Sequence, residues 1–594
     1  MSGQQPGSGR RRARGAPSGR ERASYAANPL LVVRLPAWRS RLLLLLLFGA
    51  FLALAIRAVY LQGGARADFL QRQGEVRYAR TLDVPGTRGK VLDRNGVVLA
   101  ASVPARGIWA IPEDVDATTE QLAQLARLLQ MPLAELKRRL ADEDRKFVFL
   151  RRQVDMEVAR QIEALKLPGI HHSPEFKRHY PEGPAVAHVT GFTNVEDRGQ
   201  EGVELSWEPV LAARTGSRRV IKDRLGRVIE EDWLLPPADG NDVRLSIDSR
   251  LQFIAFSALK GAIEAHRAKA GAVVVVDVAT GEILALANWP SFDPNARGAW
   301  DRQAVRNRVV TDTFEPGSTM KPFTIAAALE AGRVTPTRQI QTAPGKLTLG
   351  KHTIGDAHAY GLLTVAEVVA KSSNVGTAKI ALEMPAEALW DVYSKVGFGQ
   401  APRVVAGAVA GRLRPATAWR PIEQATIGYG YGLSVSLLQL ARAYTVFARD
   451  GDVVPLSLLA LESPPASVPV LRPETAAAMR QMLEMAVGPG GTAPRARIDG
   501  YRVAGKTGTA RKLRDGRYVS EYVASFAGFA PVSNPRLVVA VMIDEPGSGQ
   551  FYGGQVAAPV FAEVMARSLR TLQVPPDAPA AVLARQGAAA EGAL

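Results

Sequence analysis

The alternation of apolar and polar positions changes character several times along the chain. Leu42–Ile56 carries no charge and is dense in leucine; Arg57 interrupts it, and Ala58-Val59-Tyr60-Leu61 resumes it. The 20 residues from Leu42 to Leu61 would make about 30 Å of helix, the thickness of a bilayer core. Arg57 falls within a turn of the far end, where its side chain can reach the interface beside Tyr60. Further on, Leu122–Leu140 has leucines at helical spacing, Asn95-Gly96 signals a turn between apolar runs, and Pro236-Pro237 with Asp239-Gly240 marks a boundary. Beyond it, Leu251–His266 predicts an amphipathic helix, and Ala272–Asp277 with Ile283–Ala287 predicts a hairpin turned at Thr280-Gly281. Three further strands are predicted over Val503–Thr509, Val519–Ala530 and Leu537–Asp544, joined by Arg514-Asp515-Gly516 and Pro531–Pro535. Helices are predicted between them, over Thr319–Ala331, Thr364–Leu382 and Leu437–Arg449. Strands, then helices, then strands give an α+β domain: an antiparallel sheet built from both ends of the segment, with helices packed on it. The expected organisation is a disordered basic arm over 1–41, a membrane anchor over 42–61, an extended mixed domain over 62–240, the α+β domain over 241–572 and a disordered tail over 573–594.

Charge refines this picture at the N-terminus. The chain of 594 residues has a formal charge of +17, and residues 1–41 hold nine arginines against the single acid Glu21, so +8 sits there and +9 in the rest. In isolation such a run reads as a nucleic-acid-binding arm. Before an apolar span it reads better as a cytoplasmic flank, with everything after Leu61 outside the cytoplasm, so a membrane and no nucleic acid is the expected partner. A cleaved signal peptide is the competing reading, with Ala65-Arg66-Ala67 as a loose cleavage site; either way the body is exported. The chain has no cysteine, which excludes disulfides, thiolate catalysis and Cys-based zinc sites. The seven histidines, His171, His172, His179, His188, His266, His352 and His358, lack zincin spacing, so no metal and no cofactor is expected.

The candidate chemistry begins at Ser318-Thr319-Met320-Lys321, which follows Glu315-Pro316-Gly317 and opens the apolar run Phe323–Leu329. A serine at a helix start and a lysine three residues on share one face. The hydroxyl needs a base, and the amine can serve once burial and the helix dipole favour its neutral form. The spacing alone is weak: Ser257-Ala258-Leu259-Lys260 has it too, on an ordinary amphipathic helix. Ser318 is set apart by its partners. Ser372-Ser373-Asn374 offers a hydroxyl to relay a proton and an amide to hold a peptide bond; Lys506-Thr507-Gly508 offers a cation, a hydroxyl and, on an edge strand, a glycine beside which a substrate backbone can lie. The same lysine completes a P-loop expression over Gly500–Thr507, but a phosphate loop must feed a helix, and here Gly508 and a turn at Arg514-Asp515-Gly516 follow.

In order, at separations of 54 and 134 residues, these motifs match the S-x-x-K, S-x-N, K-T-G set. With Arg88-Gly89, Asp93–Gly96, Gly202-Val203-Glu204, Thr280–Ala285, Ile427–Gly430 and Ala524–Phe529, the chain from Leu42 to Leu569 resembles the class B penicillin-binding proteins, most of all their division-specific, septal transpeptidases. The resemblance implies a single anchor, a non-catalytic pedestal over 62–240, a serine β-lactamase-like transpeptidase domain over 241–572, and a catalytic domain facing the periplasm from the inner membrane. It implies cross-linking of peptidoglycan stem peptides ending in D-alanyl-D-alanine, with Ser318 acylated, Lys321 as its base and Ser372 relaying the proton. It assigns Asn374, Lys506, Thr507, Gly508 and Thr509 to substrate, and the Ser318 and Thr509 N–H groups to an oxyanion hole. β-Lactams are expected to acylate Ser318, and a septal SEDS-type glycan polymerase is the expected partner. A serine β-lactamase or β-lactam sensor with the same motifs is the nearest alternative. One departure from the family is that a Gly-Glu pair expected between Gly399 and Trp419 is replaced by Ala406-Gly407-Ala408 and several arginines.

Overall fold

The computed structural model describes residues 36–62, 79–142, 144–222, 228–298 and 300–578. Residues 1–35 of the expected disordered arm and the possible cleavage site at 65–67 lie outside those residues, whereas 37–41, expected in that arm, open a helix. The chain divides into two compact units. The first, up to Leu82 and from Arg218 to Leu234, contains helix α1 (Ala37–Gln62) and most of a sheet ordered Ala79–Val84, Gly216–Lys222, Val228–Leu235. Every residue of α1 is exposed, as an apolar helix without a protein partner must be, and it is long enough to cross a membrane. The Arg57 guanidinium lies 5.6 Å from the Tyr60 ring centroid, the arrangement expected at the end of a span.

The second unit holds Asp83–Ser217 and Leu235–Leu594. Its N-terminal portion is a mixed sheet in which Val98–Ala110 pairs with Val91–Leu92, Val148–Asp155 and Ile170–His179, with short helices packed beside it. The predicted long helix over Leu122–Leu140 is two helices, Thr119–Leu128 and Leu133–Leu140, because Pro132 cannot continue the first and caps the second.

The remainder is the predicted α+β arrangement. Helix α2 (Ser249–His266) leads into β1 (Ala270–Asp277) and β2 (Ile283–Trp289). Helices α3 (Lys321–Glu330), α4 (Val365–Lys371), α5 (Asn374–Leu382) and α6 (Leu437–Ala448) follow. Then come β3 (Ala504–Arg514), β4 (Arg517–Ala530), β5 (Leu537–Asp544) and α7 (Ala558–Thr571). The sheet runs β2-β1-β5-β4-β3, antiparallel throughout, so both ends of the segment meet at β1–β5 and β3 is an edge.

Strand alternation splits the core in two. Val274, Val276, Val538 and Ala540 point to the face that carries α3 and α6, whereas Val273, Val275, Val539 and Val541 point to the face that carries α2 and α7. Central strands buried on both sides explain the unbroken apolar runs in the sequence. Helix α3 is buried from Lys321 through Ala328, with no polar stripe at all. Phe323 anchors it, its ring 5.2 Å from Phe398, 5.5 Å from Tyr444 and 4.9 Å from Phe447. Cutting Phe323 back to Ala would cost about 3–5 kcal/mol.

Two expectations at the chain end and centre change. Gln573–Ala578, expected in the tail, are docked: Tyr501 OH donates to Val574 O at 2.6 Å, and the Asp577 carboxylate accepts from Arg502 N–H at 2.7 Å and Ser533 N–H at 3.0 Å. The predicted helix over Thr364–Leu382 is broken at Ser372-Ser373 into α4 and α5, and that break is part of the site.

Candidate active site

The nucleophile candidate sits in a turn clamped from three sides. Pro316-Gly317 reverses the chain, with Gly317 at φ +55 and Ser318 in a single 3₁₀ turn over Gly317–Met320. The α-helix therefore starts at Lys321, later than predicted, because Pro322 suits its first turn and lacks the N–H that the preceding 3₁₀ turn would leave unpaired. Gly317 N–H donates to Gly430 O at 3.0 Å, Thr319 Oγ1 to Pro316 O at 2.7 Å, and Tyr444 OH to Thr319 O at 2.9 Å. Gly430 is required there: a Cβ on it would come within 2.0 Å of Gly317 O. Ser318 itself is half-buried, at the lip of the turn.

Lys321 is wholly buried. Its amine donates to Ser372 O and, at 3.0 Å, to Ser372 Oγ. Burial pushes this amine well below the ordinary lysine range; the Lys506 charge pushes it further the same way, and Asp356 acts against both. Ser372 closes α4 in the left-handed region, at φ 61 and ψ 41, a conformation that costs a residue other than glycine about 1–3 kcal/mol. The next residue restarts the chain as a helix: Ser373 caps α5, its Oγ accepting from Gly376 N–H at 2.8 Å. Asn374 turns its amide toward the loop before α4, donating to Gly355 O at 2.8 Å.

Lys506 is the second fully buried lysine, its amine 3.3 Å from both Thr507 O and Thr507 Oγ1. Burial pushes it down to about 7. It points from β3 to the same face as Ala504 and Gly508, the face that carries α3. Thr507 Oγ1 donates to Thr492 Oγ1 at 3.3 Å, and Thr509 Oγ1 accepts from Gly553 N–H at 3.0 Å. Gly508 has a packing role the sequence did not announce. A Cβ there would meet Ser525 Oγ at 2.3 Å and Pro316 O at 2.8 Å, so the missing side chain lets the nucleophile's turn and β4 close on β3. The sequence thus brings Ser318, Lys321, Ser372, Asn374, Lys506, Thr507 and Thr509 together around one seam between α3, α4–α5 and β3.

The rival motifs fall away. Lys506 and Thr507 lie inside a strand that continues to Arg514, with no helix to receive a phosphate. Ser257 and Lys260 lie on α2, where Lys260 packs over Trp289 at 5.3 Å. Among the described residues no cluster of His, Asp and Glu could hold a metal ion.

Two contributors were not legible in the sequence. Asp356 gathers the α4–α5 seam, and Thr492 stands beside Thr507. Each lies in a short irregular loop, and neither carries a spacing signal.

Comparison with known proteins identifies the arrangement. The family description "Penicillin binding protein transpeptidase domain" matches residues 271–566, and "Penicillin-binding Protein dimerisation domain" matches residues 83–245. The "Probable peptidoglycan D,D-transpeptidase PenA" of Neisseria gonorrhoeae is 44% identical over 536 residues, 89% of this chain and 92% of that protein. The chain belongs to the class B penicillin-binding proteins. The "Peptidoglycan D,D-transpeptidase FtsI" of Escherichia coli K12 is 41% identical over 550 residues, 91% of this chain and 93% of that one. Among solved structures, the "Apo structure of TP domain from Burkholderia pseudomallei penicillin-binding protein 3" is 50% identical with a TM-score of 0.53, covering 56% of this chain and 98% of that one.

The class B pedestal supplies what the motifs Arg88-Gly89 and Gly202-Val203-Glu204 did not reveal alone. Arg88, Arg178 and Glu204 are all fully buried, and the two guanidinium Nε–H groups donate to opposite oxygens of Glu204, each at 2.7 Å. Arg88 also reaches Glu208 at 2.6 Å. Burial opposes its charge, yet Glu204 and Glu208 outweigh burial and hold this guanidinium above its ordinary value.

Proposed function

We propose that this chain is a peptidoglycan D,D-transpeptidase that cross-links stem peptides through an acyl-serine intermediate, at the division septum. The observation that carries the reading is the wholly buried Lys321 amine bonded to Ser372 Oγ and depressed by burial, one turn from Ser318. A neutral amine there takes the Ser318 proton as the hydroxyl attacks the carbonyl of the penultimate D-alanine. The Ser318 and Thr509 N–H groups stabilise the oxyanion. Ser372 Oγ passes the proton to the departing D-alanine amine. Asn374 holds the donor's peptide bond, while Lys506 and Thr507 bind its terminal carboxylate. The stem-peptide amine of a second strand then displaces Ser318, and the proton returns along the same path. β-Lactams enter by the acylation half and stop there.

In this reading α1 anchors the chain in the inner membrane with the basic arm in the cytoplasm, residues 62–240 form a pedestal, and residues 241–572 work in the periplasm beside a SEDS-type glycan polymerase. The septal assignment is supported by likeness to FtsI.

The test is reconstitution. Detergent-solubilised protein given a D-alanyl-D-alanine stem peptide and an amine acceptor should release D-alanine and form the cross-linked product, and Ser318→Ala should form none. Release of D-alanine without any cross-linked product would make the chain a hydrolase. Depletion in cells should give filaments; rounding would move the role to elongation.

A further inference from the structure

Ser372 stands where two helices meet, and that seam is held from outside both of them. Asp356 follows the strand His352–Gly355. Its carboxylate collects three donors from the seam: Ser373 Oγ–H at 2.6 Å, the Asn374 N–H, and the Val375 N–H at 3.0 Å. Gly355 O takes the Asn374 side-chain amide at 2.8 Å. Ser373 Oγ therefore serves twice, as donor to Asp356 and as cap acceptor for Gly376 N–H. None of these bonds is made by Ser372. They pin the residues after it, at a point where the left-handed backbone of Ser372 would otherwise relax to an ordinary conformation and carry its hydroxyl away from Lys321.

We propose that Asp356 is a positioning residue for acyl transfer, holding the Ser372–Asn374 turn against the Lys321 amine and supplying a carboxylate charge that acts on that amine. The proposal rests on the acyl-serine reading above. The charged groups acting on Lys321 are Lys506, from β3, and Asp356, from the loop before α4. Tyr360 lies within the field of the same carboxylate, and its OH donates to Lys371 O at 3.4 Å. Lys506 favours the neutral amine and Asp356 the protonated one. Removing the Asp356 charge must therefore make Lys321 neutral at lower pH, while loss of the three bonds lets Ser372 drift. The two consequences have different signatures, and a purely structural role would produce only the second.

The experiment measures the second-order rate of acylation by a fluorescent penicillin against pH, on the full-length protein in detergent. Asp356→Asn should lower the plateau about tenfold or more, as a displaced relay group does, and shift the acid limb down by about half a pH unit or more. Ser373→Ala removes two bonds, the one to Asp356 and the cap of α5, and leaves the charge, so it should lower the plateau and leave the acid limb in place. An Asp356→Asn plateau within twofold of wild type, or an unmoved acid limb, would overturn the proposal. Should Asp356→Asn lack a cooperative unfolding transition, Ser373→Ala decides: an unchanged plateau in that variant overturns the positioning role. The acyl-serine reading fails separately, if the wild-type protein forms no penicillin adduct on Ser318.

Discussion

The pedestal and the catalytic groove each bury cations completely, and they treat them in opposite ways. In the pedestal, Arg88 and Arg178 share the two oxygens of Glu204, and the carboxylates of Glu204 and Glu208 hold Arg88 above its ordinary value. In the groove, Lys321 and Lys506 have no carboxylate within ion-pair distance among the described residues, and their bonds there go to hydroxyls and carbonyls. A guanidinium cannot give up its proton in a protein and so must be paired; an ammonium left unpaired in the interior tends to lose its own. The residue type and the missing acid together separate a fastener from a base.

Exchanging the two treatments should break the comparison, most severely at Lys321. Lys321→Arg keeps a cation that cannot act as a base, and acylation by labelled penicillin should fall about 1,000-fold or more in stopped-flow measurements. Next comes the pedestal. Glu204→Gln leaves two buried guanidinium groups facing a neutral amide and should cost about 3–5 kcal/mol in chemical denaturation, without shifting the pH dependence of acylation in the folded fraction. A third, smaller effect concerns Lys506, which must be protonated to hold a carboxylate. Since burial pushes it down to about 7, acylation by the free enzyme should decline as pH rises through that value. Lys506→Arg should remove this alkaline decline while leaving the acid limb. The smallest expected effect is Arg178→Lys, which keeps charge but loses the donors reaching Ser102 Oγ at 3.2 Å and Arg88 O at 3.5 Å. It should cost about 1–2 kcal/mol. A loss as large as that of Glu204→Gln would mean that geometry, rather than charge pairing, holds the pedestal.

Much of the groove was legible because its residues sit on regular elements. Leu537–Asp544 is a strand over the predicted span, and the hairpin over Ala272–Ala287 is two residues longer on each strand at its open end. Leu537–Asp544 and the first hairpin strand are apolar on two faces, as central strands between two cores require. What escaped was the irregular part. Nothing local predicts that Ser372 takes a left-handed backbone and splits a helix, because the carboxylate that bonds the residues after it belongs to Asp356, 17 residues before Ser373 and part of no motif. The packing of Gly508 against Pro316 O and Ser525 Oγ also escaped, because it joins segments far apart in sequence. The Arg88–Glu204–Arg178 cluster joins three separate segments, so no spacing could announce it.

The account stands most directly on where a β-lactam attaches. Proteolytic mapping of the penicillin adduct by mass spectrometry should locate one acyl group on Ser318 and none on the Ser318→Ala protein. An adduct on Ser257, or one that survives the Ser318→Ala substitution, would contradict it.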